Sequence, residues 1–269
     1  MKEKWENITD KTPAVTALCL IVLIWQFLCL AGIIPSYMLP SPLAVAGALV
    51  SDFPNLMFHA SVTLQEAAFG LLIGIVLAFV MALLMDRFSL LQRALYPIMI
   101  ITQTIPTIAL APVLVLWMGF GKAPKITLVV ITTFFPIAVG LLDGYKSVDP
   151  DEINLMRAMG ASRRQTYYHV KFPSALPYFF SGLKISASYA VVGAVISEWL
   201  GGFEGLGVYM TRSRKAYAFD RMFAVILLIV IISLLLMLLV NILRDASMPH
   251  LRAEREKARI HELRRRTTK

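Results

Sequence analysis

Few side chains in this sequence combine the type and spacing needed for covalent chemistry. Gly119-Phe-Gly121-Lys122-Ala123 ends in the Gly-Lys of a phosphate loop, but it lacks the upstream glycine and the Ser or Thr that would hold a metal. His59, His169, His250 and His261 are scattered, and neither a His-Glu-x-x-His motif nor a paired-cysteine motif occurs. The sequence therefore offers no nucleotide, metal or cofactor site, and an enzymatic reading finds no nucleophile with a base beside it. Cys19 and Cys29 share one apolar stretch, roughly 15 Å apart if it is helical, which is too far to bridge. Three charged residues within apolar runs remain: Glu66, Lys184 and Glu198. Charges in such places are candidates for lining or gating a passage, although each lies near enough to a span end to snorkel or pair.

The elements that position these charges follow from composition. Of 269 residues, 58% are hydrophobic and 16% charged, with a mean hydropathy of +0.69. A soluble domain is about 45–50% apolar and about 25% charged. A bilayer core needs roughly 20 apolar residues per helix. Six such runs are legible, at about 14–34, 62–85, 94–118, 126–142, 178–200 and 222–243. The expected organisation is an N-terminal tail over 1–13, a six-helix membrane domain over 14–243 and a basic tail over 244–269. The third run contains Pro97, Pro106 and Pro112 and the fourth Pro136, prolines that neighbouring membrane helices can accommodate.

Placing the N-terminus inside puts 20 of the Lys and Arg residues in inner segments and 6 in outer ones. By the positive-inside rule both termini are then cytoplasmic. Topology accounts for the net charge of +9, so the basic excess does not indicate a nucleic-acid partner, although the basic tail offers contact with membrane lipid.

The inner connection, 143–176, is long enough to have its own structure. Helix-forming residues run up to Gly160, and Ser162 is placed to cap a second helix, so two short helices meeting at a glycine are expected. Ile153, Met156 and Met159, with Leu155, form an apolar face that has no evident partner in the chain. On the outer side, four glycines between Gly201 and Gly207 permit a non-helical reversal.

This inner loop resembles the signature of permease subunits of binding-protein-dependent ABC importers, written E-A-A-x3-G-x9-I-x-L-P. Gly160 is followed after nine residues by Val170-Lys171-Phe172-Pro173, while Asn154, Leu155 and Met156 replace Glu-Ala-Ala. Ile105-Pro106, Trp117 to Gly121, Phe134-Phe135-Pro136, Leu176-Pro177, Gly182-Leu183-Lys184 and Glu198-Trp-Leu-Gly are similar to the nitrate/sulfonate/taurine branch. The stretch from Glu198 to Asp220 looks most like permeases for thiamine-pyrimidine precursors.

The resemblance implies an all-α polytopic protein with the type I importer (MetI-like) fold in a bacterial cytoplasmic membrane. Asn154, Arg157, Ala158, Met159, Gly160, Ala161, Ser162 and Pro173 would couple it to a separate cytoplasmic ATPase. An external solute-binding protein would deliver a small polar organic solute, such as a thiamine-pyrimidine precursor or a sulfonate. Two copies of the chain would form the passage. The alternative, an ion-coupled secondary transporter, requires titratable groups near the bilayer midplane and an internal repeat. Neither is visible in the sequence.

Overall fold

The structure, a computed structural model, describes residues 12–35 and 37–249, with only the backbone at Ala14. Most of the two expected tails, including His250 and His261, lies outside the described residues. Every regular element described is helical: α1 (Thr12–Leu30), α2 (Pro42–Ser51), α3 (Phe53–Arg87), α4 (Ser89–Thr104), α5 (Thr107–Met118), α6 (Lys122–Lys146), α7 (Pro150–Ala158), α8 (Arg163–Thr166), α9 (Phe172–Gly201), α10 (Leu206–Lys215) and α11 (Phe219–Ser247). Among the described residues, α3, α6, the helical stretch Arg163–Gly201 and α11 are each long and apolar enough to cross a bilayer, and α4 with α5 makes a fifth, bent, candidate. The first apolar run forms a shorter apolar helix, Val15–Leu30.

The third expected span is not one straight helix. It bends by 102° between α4 and α5. Pro106 has no N–H to continue the ladder and forces the residue before it out of the helical region, and Ile105 is extended at φ −76°, ψ 123°. Ile105 is β-branched and tolerates that extended geometry well. Pro97 and Pro112, by contrast, lie inside helices that continue through them.

The chain divides into two compact units, one built from residues up to 62 and 203–229, the other from 63–202 and the residues after 229. In the first, Ser41 caps α2 by accepting from the Ala44 N–H, and Pro42 occupies a first-turn position where its missing N–H costs nothing. The Trp25 indole N–H donates to the Pro40 carbonyl at 3.1 Å, and its ring lies against Phe223 beside buried Val45, Ala48 and Ala224. The Tyr209 hydroxyl donates to the Asp52 carboxylate. Burial, then that bond, pushes the Tyr209 phenol up to about 12, so it remains a neutral donor. The glycine-rich reversal forms as expected, with Gly205 at φ 114° and its N–H donated to His59 Nδ1 at 3.0 Å. The connection between the first and second apolar runs, 35–61, holds α2 and the first turns of α3.

The second unit is built on α9 packed along α6. Gly70 and Gly74 of α3 face α6 so closely that a Cβ would lie 2.4 Å from the Val129 Cβ and 2.5 Å from the Thr133 Oγ1, respectively. Small residues are what allow helix backbones to approach this closely in a membrane. Pro136 withholds the N–H that the Thr132 carbonyl would accept, and at the neighbouring position the Ser186 hydroxyl of α9 donates to the Thr133 carbonyl at 2.7 Å, tying α9 to α6 beside the proline. Cys19 and Cys29 are both free thiols.

Candidate functional site

Two groups of residues gather the sequence-level candidates, both within the second unit. The first is the turn at Gly160. Asp149 caps α7 with its carboxylate on the Asp151 N–H, and Pro150 follows at the first helical position. The helix ends in a Schellman turn. Gly160 has φ 79°, its N–H bonds to the Arg157 carbonyl at 2.9 Å, and the Ala161 N–H bonds to the Met156 carbonyl at 2.9 Å. A left-handed backbone is costly for any residue with a Cβ, which explains glycine at this position. Ser162 then caps α8 with a full capping box: its hydroxyl accepts from the Gln165 N–H at 3.3 Å, and the Gln165 side chain accepts from the Ser162 N–H at 2.8 Å.

The surface thus formed is exposed. Asn154, Arg157, Ala158, Met159, Gly160 and Ser162 all face solvent, Ala161 is half-buried, and no residue of α7 is buried. Leu155 and Met159 are 62% and 75% exposed, values that mark an apolar surface without a partner among the described residues. Ile153 and Met156, on the other side of α7, are half-buried. The Arg157 guanidinium reaches the Asn154 side-chain oxygen at 3.5 Å, a long contact. Pro173 is exposed on α9, away from the turn in sequence, and takes no part in it.

One expectation is corrected. The helix opened by Ser162 is not a second short helix but the start of a long one, running through a π turn at Tyr167–Lys171 into α9. Pro173 does not end it. A proline deletes one N–H and crowds the carbonyl four residues back, and the wider turn ahead of it, in which the Phe172 N–H bonds to the Tyr167 carbonyl, gives the ring room. The turn at Gly160 is therefore joined to α9 by continuous helix, which is 39 residues long from Arg163 to Gly201.

The first turns of this helix are anchored. The Lys171 ammonium donates to both oxygens of Asp86, at the end of α3, at 2.8 Å each. The hydroxyls of Tyr145 and Tyr167 share a hydrogen bond of 2.6 Å. Phe79, Tyr167 and Tyr168 pack their rings around Phe172.

The second group is a buried charge cluster linking α3, α6 and α9. The Lys125 ammonium donates to Glu66 Oε1 at 2.8 Å, with the two side chains 5% and 0% exposed. The Thr63 hydroxyl donates to Glu198 Oε1 at 2.7 Å, and Glu198 stands within hydrogen-bonding reach of Glu66. Glu66 and Glu198, read from sequence as separate candidates, are thus neighbours. Lys184 is not part of the cluster. It is half-buried on α9. Sequence reading missed Lys125, which was counted among outer-loop charges. It lies in the first turn of α6, and the missed signal was its place one residue before an apolar run. Lys122, also counted as a loop charge, is exposed and donates to the Gln65 side chain at 3.2 Å.

With this geometry in view, the chain can be compared with known proteins. Residues 70–253, more than half of the chain, match the family described as binding-protein-dependent transport system inner membrane component. A formylaminopyrimidine transport permease protein, ThiX, of Halalkalibacterium halodurans is 40% identical over 194 residues, covering 72% of this chain and 78% of the relative. A probable ABC transporter permease protein of Haemophilus influenzae is 38% identical over 210 residues, 78% of this chain and 86% of the relative. Among solved structures, a bacterial ABC transporter importing the acidic polysaccharide alginate superposes with a TM-score of 0.64 at 17% identity, covering 91% of this chain and 99% of that one. The MetNI methionine ABC transporter in an inward-facing conformation gives a TM-score of 0.58 at 22% identity, covering 72% and 94%. At these identities the likeness is one of fold.

Proposed function

Because the chain belongs to the inner-membrane permease family of binding-protein-dependent ABC importers, we propose that the turn at Gly160 is where a separate ATPase subunit grips it, with α8 and α9 as the lever. The observation that carries this is the exposed apolar pair Leu155 and Met159 beside a turn fixed by a Schellman motif and a capping box. Methionine suits a contact that must adapt as a partner moves. Arg157, Ala158, Met159, Gly160, Ala161 and Ser162 form the gripped surface, and Asn154 holds Arg157. Pro173 acts further along the lever, where the π turn lets the helix pass it.

Displacement of Ser162 would travel along continuous helix to Glu198, because packed helices move as rigid bodies between discrete arrangements. Glu66, Lys125 and Glu198 then clamp α3, α6 and α9 into one block and do not line the passage, since their side chains are buried and engaged with one another. Lys184, half-buried at the inner part of α9, remains the candidate for the passage wall.

The solute is a small polar organic molecule of the formylaminopyrimidine class, on the strength of the ThiX relative. An external binding protein delivers it, two copies of the chain enclose the passage, and both termini face the cytoplasm of a bacterial cell. The spans hold no ring of Arg or Lys at depth to retain a strong anion, so selectivity lies mainly in the binding protein.

The test is reconstitution into vesicles with a candidate ATPase and a candidate binding protein from the same organism. Uptake of formylaminopyrimidine that needs ATP and the binding protein, with taurine and alkylsulfonates excluded, is the expected result. Uptake driven by an ion gradient without ATP would replace this reading with secondary transport.

A further inference from the structure

Behind the Gly160 turn, a cavity of 530 Å³ opens between the last turns of α3 and the segment from Ile153 to Lys171. Its walls carry Arg87, Arg157, Arg163, Arg164 and Lys171 against a single carboxylate, Asp86. That carboxylate is already committed, since both its oxygens accept from Lys171. Among the described residues, none of the four guanidiniums forms an ion pair. Arg157 reaches only the Asn154 side chain, and Arg87 lies over the Phe88 ring. Guanidiniums facing one cavity repel one another, and they do so more strongly beside a low-dielectric neighbour than in open water. A bound anion relieves that repulsion, and the planar guanidinium fork matches the oxygens of a phosphate group.

The rest of the wall identifies the anion's source. Leu83 of α3 lines the cavity. Val76 and Val80 above it and Leu84 beside it share the same helix face, and all four are exposed. The apolar run of α3 ends at Asp86 and Arg87, so the cavity lies where hydrocarbon gives way to headgroups. Free phosphate would make no use of the apolar strip, whereas a phospholipid needs both parts.

We propose that this cavity is a binding site for the phosphate headgroup of an anionic phospholipid of the cytoplasmic leaflet, with its acyl chains along the exposed face of α3. Basic pockets at this depth are the general form of such sites. One headgroup held by Arg87 on one side and Arg163 and Arg164 on the other ties the end of α3 to the start of the lever. The identity of the leaflet rests on the reading that 143–176 faces the cytoplasm. The binding itself does not.

The test uses the full-length permease, delipidated in detergent and titrated with phosphatidylglycerol or phosphatidylcholine of identical acyl chains, with bound lipid counted by native mass spectrometry. Phosphatidylglycerol should bind about tenfold more tightly, and the Arg87→Gln/Arg163→Gln/Arg164→Gln variant should lose that preference. Arg244→Gln, remote in sequence and bonded to Asp245, should keep it. If the triple variant aggregates, Arg163→Gln/Arg164→Gln, with both side chains exposed, should lose at least half of the preference on a logarithmic scale.

Undiminished preference in either variant overturns the proposal. So does full displacement of phosphatidylglycerol by millimolar glycerol phosphate, which would mark a free-phosphate site. Its one-for-one displacement by the ATPase would mark a protein-docking site and overturn the proposal too. Because the measurement needs neither ATP nor a sided membrane, it can fail while the coupling reading stands, and the coupling reading can fail while it succeeds.

Discussion

The Gly160 turn and the Glu66–Lys125–Glu198 cluster put polar groups to opposite uses. At the turn, backbone donors and acceptors are satisfied locally by residues two to five apart, which leaves the side chains Leu155 and Met159 exposed for something outside the turn. In the cluster, residues 59 and 135 positions apart in sequence bond to one another in the interior, and even the Glu66 Oε2 left without a hydrogen-bond partner is buried. A charged residue in an apolar span is therefore not by itself a pathway residue. The partner facing it decides.

The largest effect expected from breaking this contrast is at Lys125. Lys125→Met removes the cation bonded to buried Glu66, and removing one partner of a buried pair costs about 3–5 kcal/mol. The variant should accumulate poorly and unfold at much lower temperature in detergent. Lys125→Met combined with Glu66→Met should recover most of that loss, because replacing a whole buried pair with apolar groups is often close to neutral. A Lys125→Met protein of ordinary thermal stability that fails in transport would instead place the cluster on the solute's route.

Gly160→Val tests the other side. A Cβ at Gly160 would meet no atom within 4 Å, so the cost is backbone strain alone, roughly 1–2 kcal/mol held in the turn. Yield and membrane insertion should match wild type, while binding-protein-stimulated ATP hydrolysis and uptake both fall by an order of magnitude. Full uptake in reconstituted vesicles would remove the turn from the coupling path.

How well each region reads from sequence follows the same division. Gly160, Ser162 and Pro150 announce a helix stop, a helix start and a first-turn position from their own types, because capping is local chemistry. The Glu66–Lys125 contact joins two helices whose mutual rotation is set by packing at Gly70 and Gly74, and no local pattern encodes that rotation. The break at Ile105 falls between these cases. Three prolines were visible in one apolar run, but only tertiary context determines that Pro106 breaks the helix while Pro97 and Pro112 are absorbed. The continuity of α8 into α9 was hidden because Pro173 reads as a stop unless a π turn precedes it.

A smaller effect is expected where the lever meets its anchor. Asp86→Asn removes the charge held by Lys171 in a half-buried bridge, worth about 1 kcal/mol at this exposure. Stability should hardly change, and uptake per ATP hydrolysed should fall a few-fold as the base of the lever loosens. Equal loss in hydrolysis and uptake would show that the bridge supports ATPase docking and has no role in transmission.

The smallest effect compares two turns of one kind. The first unit contains a second Schellman turn, at the end of α10, where the Tyr217 N–H bonds to the Arg214 carbonyl and the Ala218 N–H to the Ser213 carbonyl. The residue in the left-handed position is Tyr217, at φ 57°, where Gly160 stands in the other turn. A bulky side chain at positive φ is strained, so Tyr217→Gly relieves strain in the native state. Two costs oppose that gain: glycine gives the unfolded chain more freedom, and the edge-on contact of the Tyr217 ring with Phe219 is lost. With the ring 82% exposed, that contact is weak, and the net change should lie within about 1 kcal/mol of zero. The thermal unfolding midpoint should therefore move by no more than a few degrees and uptake should persist, whereas Gly160→Val, with its midpoint also lowered by only a few degrees, loses uptake. A fall of many degrees in Tyr217→Gly would show that the ring is an anchor of the first unit, and the two turns would then differ in stability as well as in what they present.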